Sequence, residues 1–425
     1  MEAIRNFFKV FFSSVAAQAL SFALAPVLSR LFLPEDFGLA GLYLGILSLL
    51  SVISTGKYEQ AIMLPRKDMD AARLFWLVML ITLTVALITA LAACLFNTPV
   101  TLLSGNEKLG PWLYLLPVSL LLHGIYQGSV FFANRRKKFG LMGKGTLVQY
   151  GTLNLARVAA GWGKTGFNGL IAGHLLAQFT SAVFVFRGVA RELKTHSNHL
   201  SFHSIWEQAR IYLQYPRYNM LLSFTNNLSG SLPVFLFTWG FSPEVAGLYA
   251  FGYAFVFRPL SLFSQATSQV LSQKIIQDHQ NGRNIYQPLK KLAVRFFIAG
   301  LPVFAILGVV APALFGFVFS EEYTRAGTFL QLLTPYLFIV FIASPLSFVP
   351  ELFFRQKKAM VIDSIYLVLR FLALWTGIRA GSVYLALALF SAVSMLVVSY
   401  NLFWYLSLAK SGGNGHRAAD TGPTK

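Results

Sequence analysis

Four arginines lie inside stretches that are otherwise apolar and long enough to cross a membrane: Arg157, Arg217, Arg258 and Arg370. Each would cost at least ~2.5–3.5 kcal/mol at the centre of a bilayer. Four would cost on the order of 10 kcal/mol, which is comparable to the stability of a whole domain. They therefore pair with carboxylates or line a hydrated cavity. Arg217 and Arg258 lie near the predicted membrane boundaries, where long side chains can instead reach the headgroups.

Carboxylates inside the apolar stretches are fewer. Asp363 is the clearest one, and Glu59 lies near the end of the second stretch. Asp363 and Arg370 are seven residues apart, so they share one helix face about two turns from each other. Because cations outnumber anions, we expect a cavity for an anionic ligand, with Arg157 and Arg370 as its first candidates. Glu59 and Asp363 are candidates for coupling to a proton or sodium gradient, and Glu59 suits an ion pair with Lys57 equally well.

The composition indicates that these residues sit in a membrane protein. The chain has 425 residues, of which 56% are hydrophobic and only 12% charged, whereas a soluble domain has roughly 25% charged residues. The apolar runs are continuous rather than alternating, which excludes a β-barrel. We predict an all-α polytopic membrane protein with about twelve transmembrane helices, over residues 7–31, 38–58, 71–96, 109–133, 141–161, 166–187, 211–238, 243–270, 289–316, 328–354, 360–378 and 381–408.

The distribution of positive charge predicts the orientation. One alternating set of connections carries 26 of the 35 Lys and Arg residues, and the other set carries five. Positive residues concentrate on the cytoplasmic side, so both termini are expected there. This asymmetry accounts for most of the net charge of +19, and no nucleic-acid partner is needed to explain it.

The sequence also contains a repeat. Three features recur in the same order: PEDFGL at 34–39 and PEVAGL at 243–248, a basic turn after Phe131 and after Phe353, and an arginine in the next helix, Arg157 and Arg370. We predict two duplicated six-helix lobes around a central cavity, as in transporters built from parallel repeats. The predicted boundaries are 1–188 for the first lobe, 189–210 for a cytoplasmic linker, 211–408 for the second lobe and 409–425 for a disordered cytoplasmic tail.

The hexapeptide PEDFGL has a local explanation. Proline suits the first turn of a helix, and Glu35 and Asp36 favour its positive end. Gly38 and Gly247 then permit close helix approach. An acidic pair in an outer loop also occurs in membrane glycosyltransferases, but those enzymes need a substantial outer domain, and every outer connection here is short. An enzymatic role is therefore not expected.

Three prolines interrupt the first and seventh predicted helices, which are equivalent in the two lobes: Pro26, Pro216 and Pro233. Proline bends helices, and the bends suit either the gating of a cavity or packing alone. His196, His199 and His203 have a spacing that fits a metal only weakly. No phosphate-binding glycine motif occurs, so no bound cofactor or metal is expected.

The N-terminal run resembles the signature of the polysaccharide transporter family, the O-antigen and exopolysaccharide flippases of the multidrug/oligosaccharidyl-lipid/polysaccharide exporter superfamily. The matching elements are Arg30, then 34–38, Tyr58 and Glu59, Ala61 and Ile62, Leu64 and Pro65, and Ala71 and Ala72. The second half matches mainly in its layout.

The resemblance implies a flippase for undecaprenyl-pyrophosphate-linked oligosaccharides in the bacterial inner membrane. It implies alternating access, a cationic central cavity to which Arg30 would contribute, and ion-gradient coupling. The implied partners are the lipid-linked oligosaccharide, membrane lipids, and polysaccharide polymerase and assembly proteins. Two alternatives stay open within the superfamily: a drug or cation exporter, expected to carry more buried carboxylates than arginines, and a peptidoglycan-precursor flippase, which usually has two further helices.

Overall fold

The computed structural model describes residues 2–104, 107–197 and 201–419. Within these ranges no β-strand occurs, which confirms the all-α prediction. The helices are α1 (Glu2–Leu31), α2 (Pro34–Thr55), α3 (Tyr58–Ala61), α4 (Asp68–Ser104), α5 (Gly110–Leu113), α6 (Leu116–Arg135), α7 (Phe139–Trp162), α8 (Phe167–Ser197), α9 (Phe202–Ile211), α10 (Met220–Gly240), α11 (Pro243–Gln280), α12 (Tyr286–Val318), α13 (Thr324–Ala343), α14 (Val349–Leu352), α15 (Gln356–Arg379) and α16 (Val383–Ala419).

Twelve of these helices have 20 residues or more and correspond one to one with the twelve predicted segments. Ten candidate spans, which include α1, α2 and α4, are long and apolar enough to cross a membrane. The two long helices outside this set, α7 and α10, carry polar residues along their length, among them Arg157 in α7 and Asn227 in α10. The chain is therefore a multi-pass membrane protein, as its composition predicts.

The chain divides into two compact units, Met1–Gly247 (unit 1) and Leu248–Lys425 (unit 2). In unit 1, α7 packs between α1 and α8, and α6 packs between α4 and α8. In unit 2, α13 packs between α12 and α16, and α15 packs on α16. The sequence predicts a boundary inside the linker, whereas the compact units divide at Gly247 because α10 packs along α2.

Small side chains on α2 allow the close approach of α10. A Cβ atom at Gly45 would lie 2.6 Å from the ring of Phe235. One turn further, the hydroxyls of Ser48 and Ser231 are 3.3 Å apart, and the amide of Asn227 donates to the Ser48 carbonyl at 3.0 Å. Small and hydroxyl residues are typical of helix interfaces in membranes, where backbones must approach closely.

The basic turn between α6 and α7 is held by ion pairs. Arg135 bonds to Asp68 at the start of α4 at 2.9 Å, and Arg136 and Lys138 each bond to Glu192 of α8 at 2.6 Å. Single exposed ion pairs contribute little, but this network joins the ends of α4, α6 and α8. The positive charge of this turn is therefore partly paired within the protein.

Helices extend into both segments that the sequence places outside the two lobes. Most of the linker is helical, because α8 continues to Ser197 and α9 begins at Phe202, where the side chain of Ser201 accepts a hydrogen bond from the Ser204 amide at 3.1 Å. At the other end, α16 continues to Ala419, within the segment 409–425 that the sequence predicts to be disordered. Residues 420–425 lie outside the described part.

Aromatic side chains form much of the core of unit 2. The ring of Phe251 lies 4.9 Å from that of Phe319 and 4.6 Å from that of Tyr323. All of Phe315, Phe319 and Tyr323 are fully buried. The Phe251–Phe319 contact is edge-to-face and the Phe251–Tyr323 contact is tilted. Together they join α11 to the end of α12 and the start of α13, and aromatic pairs contribute about 0.5–1.5 kcal/mol beyond the burial of their area.

Candidate functional site

Arg370 is enclosed by hydroxyl groups and aromatic rings of unit 2. Its side chain lies on α15 and is only 8% exposed. Nη2 donates to the Tyr336 hydroxyl at 3.0 Å and to the Tyr366 hydroxyl, and Nε donates to Ser394 Oγ at 3.4 Å. The rings of Tyr366 and Phe390 lie 4.0 and 4.9 Å from the guanidinium carbon. Hydroxyl acceptors and aromatic faces stabilise a cation away from water.

These contacts join three helices. Tyr336 belongs to α13, Arg370 to α15, and Phe390 and Ser394 to α16. Arg370 therefore contributes to the packing of unit 2, besides any contact with a ligand. Asp363, two turns earlier on α15, is half-buried and lies within electrostatic range of Arg370.

Arg157 lies at the contact between α7 and α8 in unit 1. Its side chain is half-buried, and a Cβ atom at Gly173 would lie 3.2 Å from Arg157 Cγ. The next residue, His174, lies within electrostatic range of Arg157. The two helices are also joined by a hydrogen bond of 3.2 Å between Thr180 and Thr152. The stem of Arg157 thus packs against a glycine of α8, in contrast to the aromatic enclosure of Arg370.

The backbone confirms the duplication of the helices that carry these arginines. Both α7 and α15 have 24 residues. A left-handed residue lies two positions before each helix, Lys137 with φ 55° and Phe354 with φ 54°. Another lies two positions after each helix, Lys164 with φ 51° and Gly381 with φ 65°. The two connections are therefore built in the same way in both halves of the chain.

The two arginines themselves do not occupy equivalent positions. Arg157 is the nineteenth residue of α7, whereas Arg370 is the fifteenth residue of α15. They are one helical turn apart in register. Their recurrence in the sequence reflects duplicated helices rather than a duplicated side-chain site.

The other three arginines of the predicted cavity are exposed. Arg30 donates to the carbonyl of Pro26 at 3.1 Å. Arg217 precedes α10 in a π-helical turn, with its guanidinium carbon 5.8 Å from the ring of Tyr218. Arg258 lies on α11. Exposure makes Arg217 and Arg258 equally able to meet lipid headgroups or a ligand.

Glu59 is buried in the short connection between α2 and α4. Gly56 and Lys57 both adopt left-handed backbone conformations, with φ 55° and 60°, and they separate α2 from the single turn α3. Glu59 Oε1 lies 3.8 Å from Lys57 Nζ, whereas the buried Oε2 has no hydrogen-bond partner among the described residues. Burial raises the pKa of the Glu59 carboxyl, and the charge of Lys57 opposes this effect. A buried carboxyl with a raised pKa keeps its proton to a higher pH than an exposed carboxyl does.

The residues beside Glu59 contact α9 of the linker and the π-helical turn that precedes α10. The hydroxyl of Tyr58 donates to the Ala209 carbonyl in α9 at 2.9 Å. The amide of Asn219 donates to Gln60 Oε1 at 3.1 Å. A change of charge at Glu59 therefore acts on a segment that is bonded to two further elements of unit 1.

The three prolines lie where helices are interrupted or lose a hydrogen bond. Pro26 is inside α1, and its carbonyl accepts a bond from Ser29 Oγ at 2.9 Å. Pro216 belongs to the π-helical turn Tyr215–Asn219, and Pro233 is buried inside α10. Each lacks the N–H that a helix would use. Their role as bends for gating stays a prediction.

Asp36 supports the capping interpretation of PEDFGL. Its carboxylate accepts a bond from the Leu33 amide at 3.0 Å and one from the Phe167 amide at 2.7 Å. Asp36 thus binds the N-terminal ends of both α2 and α8, where partial positive charge favours a carboxylate. Gly166, with φ 58°, turns the chain so that the Phe167 amide points at the Asp36 carboxylate.

Among the described residues, no group of three or more His, Cys, Asp or Glu side chains could hold a metal ion. His203 is exposed on α9, while the side chains of His196 and His199 lie outside the described residues.

The sequence reasoning missed two groups of residues. Tyr336 and Tyr366 carried no signal, because tyrosine is common near membrane boundaries. His123 and His174 did carry one, since both lie inside predicted spans, where ionisable side chains are rare and usually functional.

Known structures of the same fold are transporters. An inward-facing multidrug resistance MATE family transporter of the MOP superfamily matches with a TM-score of 0.66 at 13% identity, over 92% of this chain and 95% of that one. The lipid II flippase MurJ, in an inward closed conformation, matches with a TM-score of 0.71 at 13% identity, over 97% and 93%. A mutant of the Vibrio cholerae MATE transporter VcmN matches with a TM-score of 0.60 at 16% identity, over 96% of each chain. The fold is therefore the two-lobed helical fold of the MOP superfamily.

Within this class, sequence identifies the family. Residues 27–328 match the family described as polysaccharide biosynthesis protein, and the chain belongs to that family. The resemblance predicted from the N-terminal signature is thereby confirmed. No protein with curated function matches the chain in sequence.

Proposed function

We propose that the protein is a flippase that moves undecaprenyl-pyrophosphate-linked oligosaccharide from the cytoplasmic to the periplasmic leaflet during the synthesis of a surface polysaccharide. One observation carries the proposal: a chain of the polysaccharide biosynthesis family has the fold of MOP-superfamily transporters over more than nine-tenths of its length. Membership in this family indicates a polysaccharide pathway, and the fold indicates a transport step within it.

The basic side chains support an anionic substrate. A guanidinium group matches two phosphate oxygens at once and stays charged in an apolar setting. Arg157 is half-buried and lies within electrostatic range of His174, and Arg30, Arg217 and Arg258 are exposed. We assign Arg157 as the first candidate for contact with the pyrophosphate. Arg370 is enclosed by unit 2, so its contribution to transport is expected to depend on its role in packing.

Transport would proceed by alternating access between the two duplicated lobes, which the sequence places at 1–188 and 211–408. The bends at Pro26, Pro216 and Pro233 would accommodate the movement. Glu59 and Asp363 would couple it to a proton or sodium gradient. Glu59 suits this role because its carboxyl is buried and contacts a single cation in the described structure.

The distribution of Lys and Arg supports an inner-membrane location with both termini in the cytoplasm. In that orientation the basic turn between α6 and α7 would face the cytoplasm. The lipid-linked oligosaccharide and membrane lipids would be the direct partners, and a polysaccharide polymerase with its assembly proteins would consume the product.

Two related activities remain as alternatives. The structural similarity to multidrug MATE transporters favours export of a drug or cation, and the similarity to MurJ favours a peptidoglycan precursor. The excess of arginine over carboxylate in the helices supports an anionic substrate over a cation. A peptidoglycan precursor has the same lipid pyrophosphate, so only the glycan distinguishes it.

Deletion of the gene in its host tests the proposal. The expected result is loss of surface polysaccharide and accumulation of lipid-linked oligosaccharide in the cytoplasmic leaflet. Arg157→Ala should fail to restore export, whereas Arg191→Ala, which changes an exposed arginine of α8, should restore it. Normal surface polysaccharide in the deletion strain would contradict the proposal.

A further inference from the structure

One turn of unit 2 exposes an aromatic side chain in a strained backbone conformation. Phe354 lies two positions before α15 and is 87% exposed. Its φ of 54° lies in the left-handed region, which is unfavourable for a bulky side chain and which glycine adopts at no steric cost. Backbone strain of this kind persists mainly where a side chain has a function. The exposed ring of Phe354 therefore requires an explanation other than packing.

The cations beside Phe354 differ from those of the equivalent turn in unit 1. In unit 1, the arginines and one lysine of the basic turn bond to Asp68 and Glu192. In unit 2, the side chains of Arg355, Lys357 and Lys358 are exposed, and none of them forms an ion pair among the described residues. The positive charge of the unit 2 turn is therefore available to an external anion.

Further cations lie at the same end of unit 2. A buried cluster joins Ile275 of α11, Leu289 of α12, Val349 of α14 and Ala409 of α16, and the ring of Phe353 packs against this cluster. The ends of these helices are therefore neighbours of the turn. With Phe354, the exposed cations at these ends form a surface that we call the basic face, which comprises Lys274, Lys290, Lys291, Arg355, Lys357, Lys358 and Lys410.

Two carboxylates lie near the basic face in the sequence. Asp278, at the end of α11, bonds to Arg283 at 3.1 Å, and Glu351 of α14 is exposed. Neither forms an ion pair with a cation of the basic face among the described residues. The basic face therefore keeps a large positive charge, which attracts anions.

The basic face lies at the level where membrane spans end. Candidate spans begin or end beside it, at Gln280, Tyr286, Leu352, Gln356 and Ser411. Lipid headgroups surround a membrane protein at this level, and aromatic side chains are enriched there. Clusters of about four to eight lysines and arginines next to membrane spans are typical of binding to anionic lipids. The position and the charge of the basic face thus point to the same kind of partner.

We propose that the basic face binds the headgroups of anionic phospholipids and that the ring of Phe354 enters the apolar region beside them. Arg355 directly follows Phe354, and its guanidinium group matches phosphate oxygens. The ammonium group of Lys358 lies 4.8 Å from the centre of the Trp404 ring, so α16 holds this lysine while its side chain stays exposed. The ends of the spans favour lipid over a soluble partner, because headgroups are always present there. The inference goes beyond the proposed function and does not depend on the transported substrate.

Lipid retention by the purified protein tests this surface. The protein is transferred into detergent micelles that contain phosphatidylglycerol, which is anionic, or phosphatidylcholine, which has no net charge, and the bound lipids are counted by native mass spectrometry. The expected result is tighter retention of phosphatidylglycerol. Arg355→Ala combined with Lys357→Ala should weaken that retention by about fivefold for each cation removed. Arg66→Ala combined with Lys67→Ala removes the same charge from exposed positions of unit 1 and should have the smaller effect.

Equal retention of the two lipids by the unchanged protein would overturn the proposal, and this result does not depend on the folding of a variant. Equal losses in the two double variants would show that retention follows net charge alone, and this outcome would also overturn the proposal.

Phe354→Gly separates insertion of the ring into lipid from a role in packing. Because glycine suits a positive φ, this variant should unfold at the same or a higher temperature than the unchanged protein but retain phosphatidylglycerol more weakly. A lower unfolding midpoint together with unchanged retention would make Phe354 a packing residue and contradict its insertion into lipid.

Discussion

The backbones of Gly38 and Gly247 contact each other directly. A Cβ atom at Gly38 would overlap the carbonyl of Pro243 and lie 3.1 Å from the Gly247 nitrogen, and a Cβ atom at Gly247 would overlap the carbonyl of Pro34 and lie 2.8 Å from the Gly38 nitrogen. The two copies of the repeated hexapeptide therefore pack on each other through their glycines. This confirms the prediction that these glycines permit a close approach of helices.

Gly38→Ala should destabilise unit 1, because the new methyl group meets backbone atoms that cannot rotate away. Overpacking of this kind costs about 1–3 kcal/mol. Gly41→Ala is the matched control, since it lies on the same helix and its Cβ would meet only Val234 Cγ1 at 3.5 Å, an ordinary contact. Thermal unfolding in detergent, followed by tryptophan fluorescence, should show a lower midpoint for Gly38→Ala alone. Equal midpoints for the two variants would show that the close contact between Gly38 and Gly247 does not limit the stability of the protein.

Glu59 should make the stability of the protein depend on pH. Burial raises the pKa of its carboxyl in the folded state, so folding favours the protonated form. Its contribution to stability is fully present below the pKa of the unfolded chain, about 4.3, and is lost as pH rises through the higher folded value. Glu59→Gln is neutral at every pH. It should therefore lose less stability than the unchanged protein as pH rises, so that the difference between the two shifts in favour of the variant at high pH.

Unfolding midpoints measured from pH 4 to pH 8 test this expectation. Glu207→Gln is the control, because Glu207 is exposed on α9. A profile of Glu59→Gln that runs parallel to that of the unchanged protein would mean that the Glu59 carboxyl does not titrate in this range.

Arg370→Ala should weaken the folding of unit 2. The substitution removes bonds to Tyr336, Tyr366 and Ser394 and leaves a cavity, for which about 2–5 kcal/mol is typical of large-to-alanine changes. Arg370→Lys keeps the charge but cannot reproduce the planar set of donors, so it should recover only part of the loss. Unfolding midpoints in detergent measure both, with the exposed Arg258→Ala as the control. A midpoint for Arg370→Ala equal to that of Arg258→Ala would argue against the packing role.

Asp36→Asn should loosen the contact between the starts of α2 and α8. The carboxylate accepts bonds from the amides of Leu33 and Phe167, and loss of an N-terminal cap typically costs about 0.5–2 kcal/mol. Glu35→Gln alters the neighbouring charge and serves as the comparison. Backbone amide hydrogen exchange of Leu33, of residues 35–38 and of residues 167–170 should increase in Asp36→Asn. Unchanged exchange at Phe167 would show that the second bond contributes nothing.

Much of the fold could be predicted because it depends on composition and local spacing. The apolar runs determine the twelve long helices, and the recurrence of PEDFGL and of the basic turns reveals the duplication. The role of Asp36 followed from helix chemistry alone. The enclosure of Arg370 could not be predicted, since Tyr336 and Ser394 come from helices distant in sequence, and nothing local marks them as its partners.

The difference in position between the two arginines within their helices could not be predicted for a related reason. Arg157 and Arg370 recur in duplicated helices, but only the left-handed residues at the helix ends show that they differ by one turn. The pattern of burial in the linker could not be predicted from polarity either. Helix α9 exposes the apolar side chains of Phe202 and Trp206 and buries the polar side chain of Gln208, the reverse of what is typical for a soluble helix. His123 and His174 could have been recognised from their positions inside apolar segments.

The central claim is transport of a lipid-linked oligosaccharide, and reconstitution tests it most directly. The purified protein is placed in liposomes with a fluorescent undecaprenyl-pyrophosphate oligosaccharide, and its movement between leaflets is followed with and without an imposed ion gradient. The account predicts movement that requires the protein and is faster with the gradient. An absence of movement with several different glycans, together with uptake of an organic cation, would contradict it.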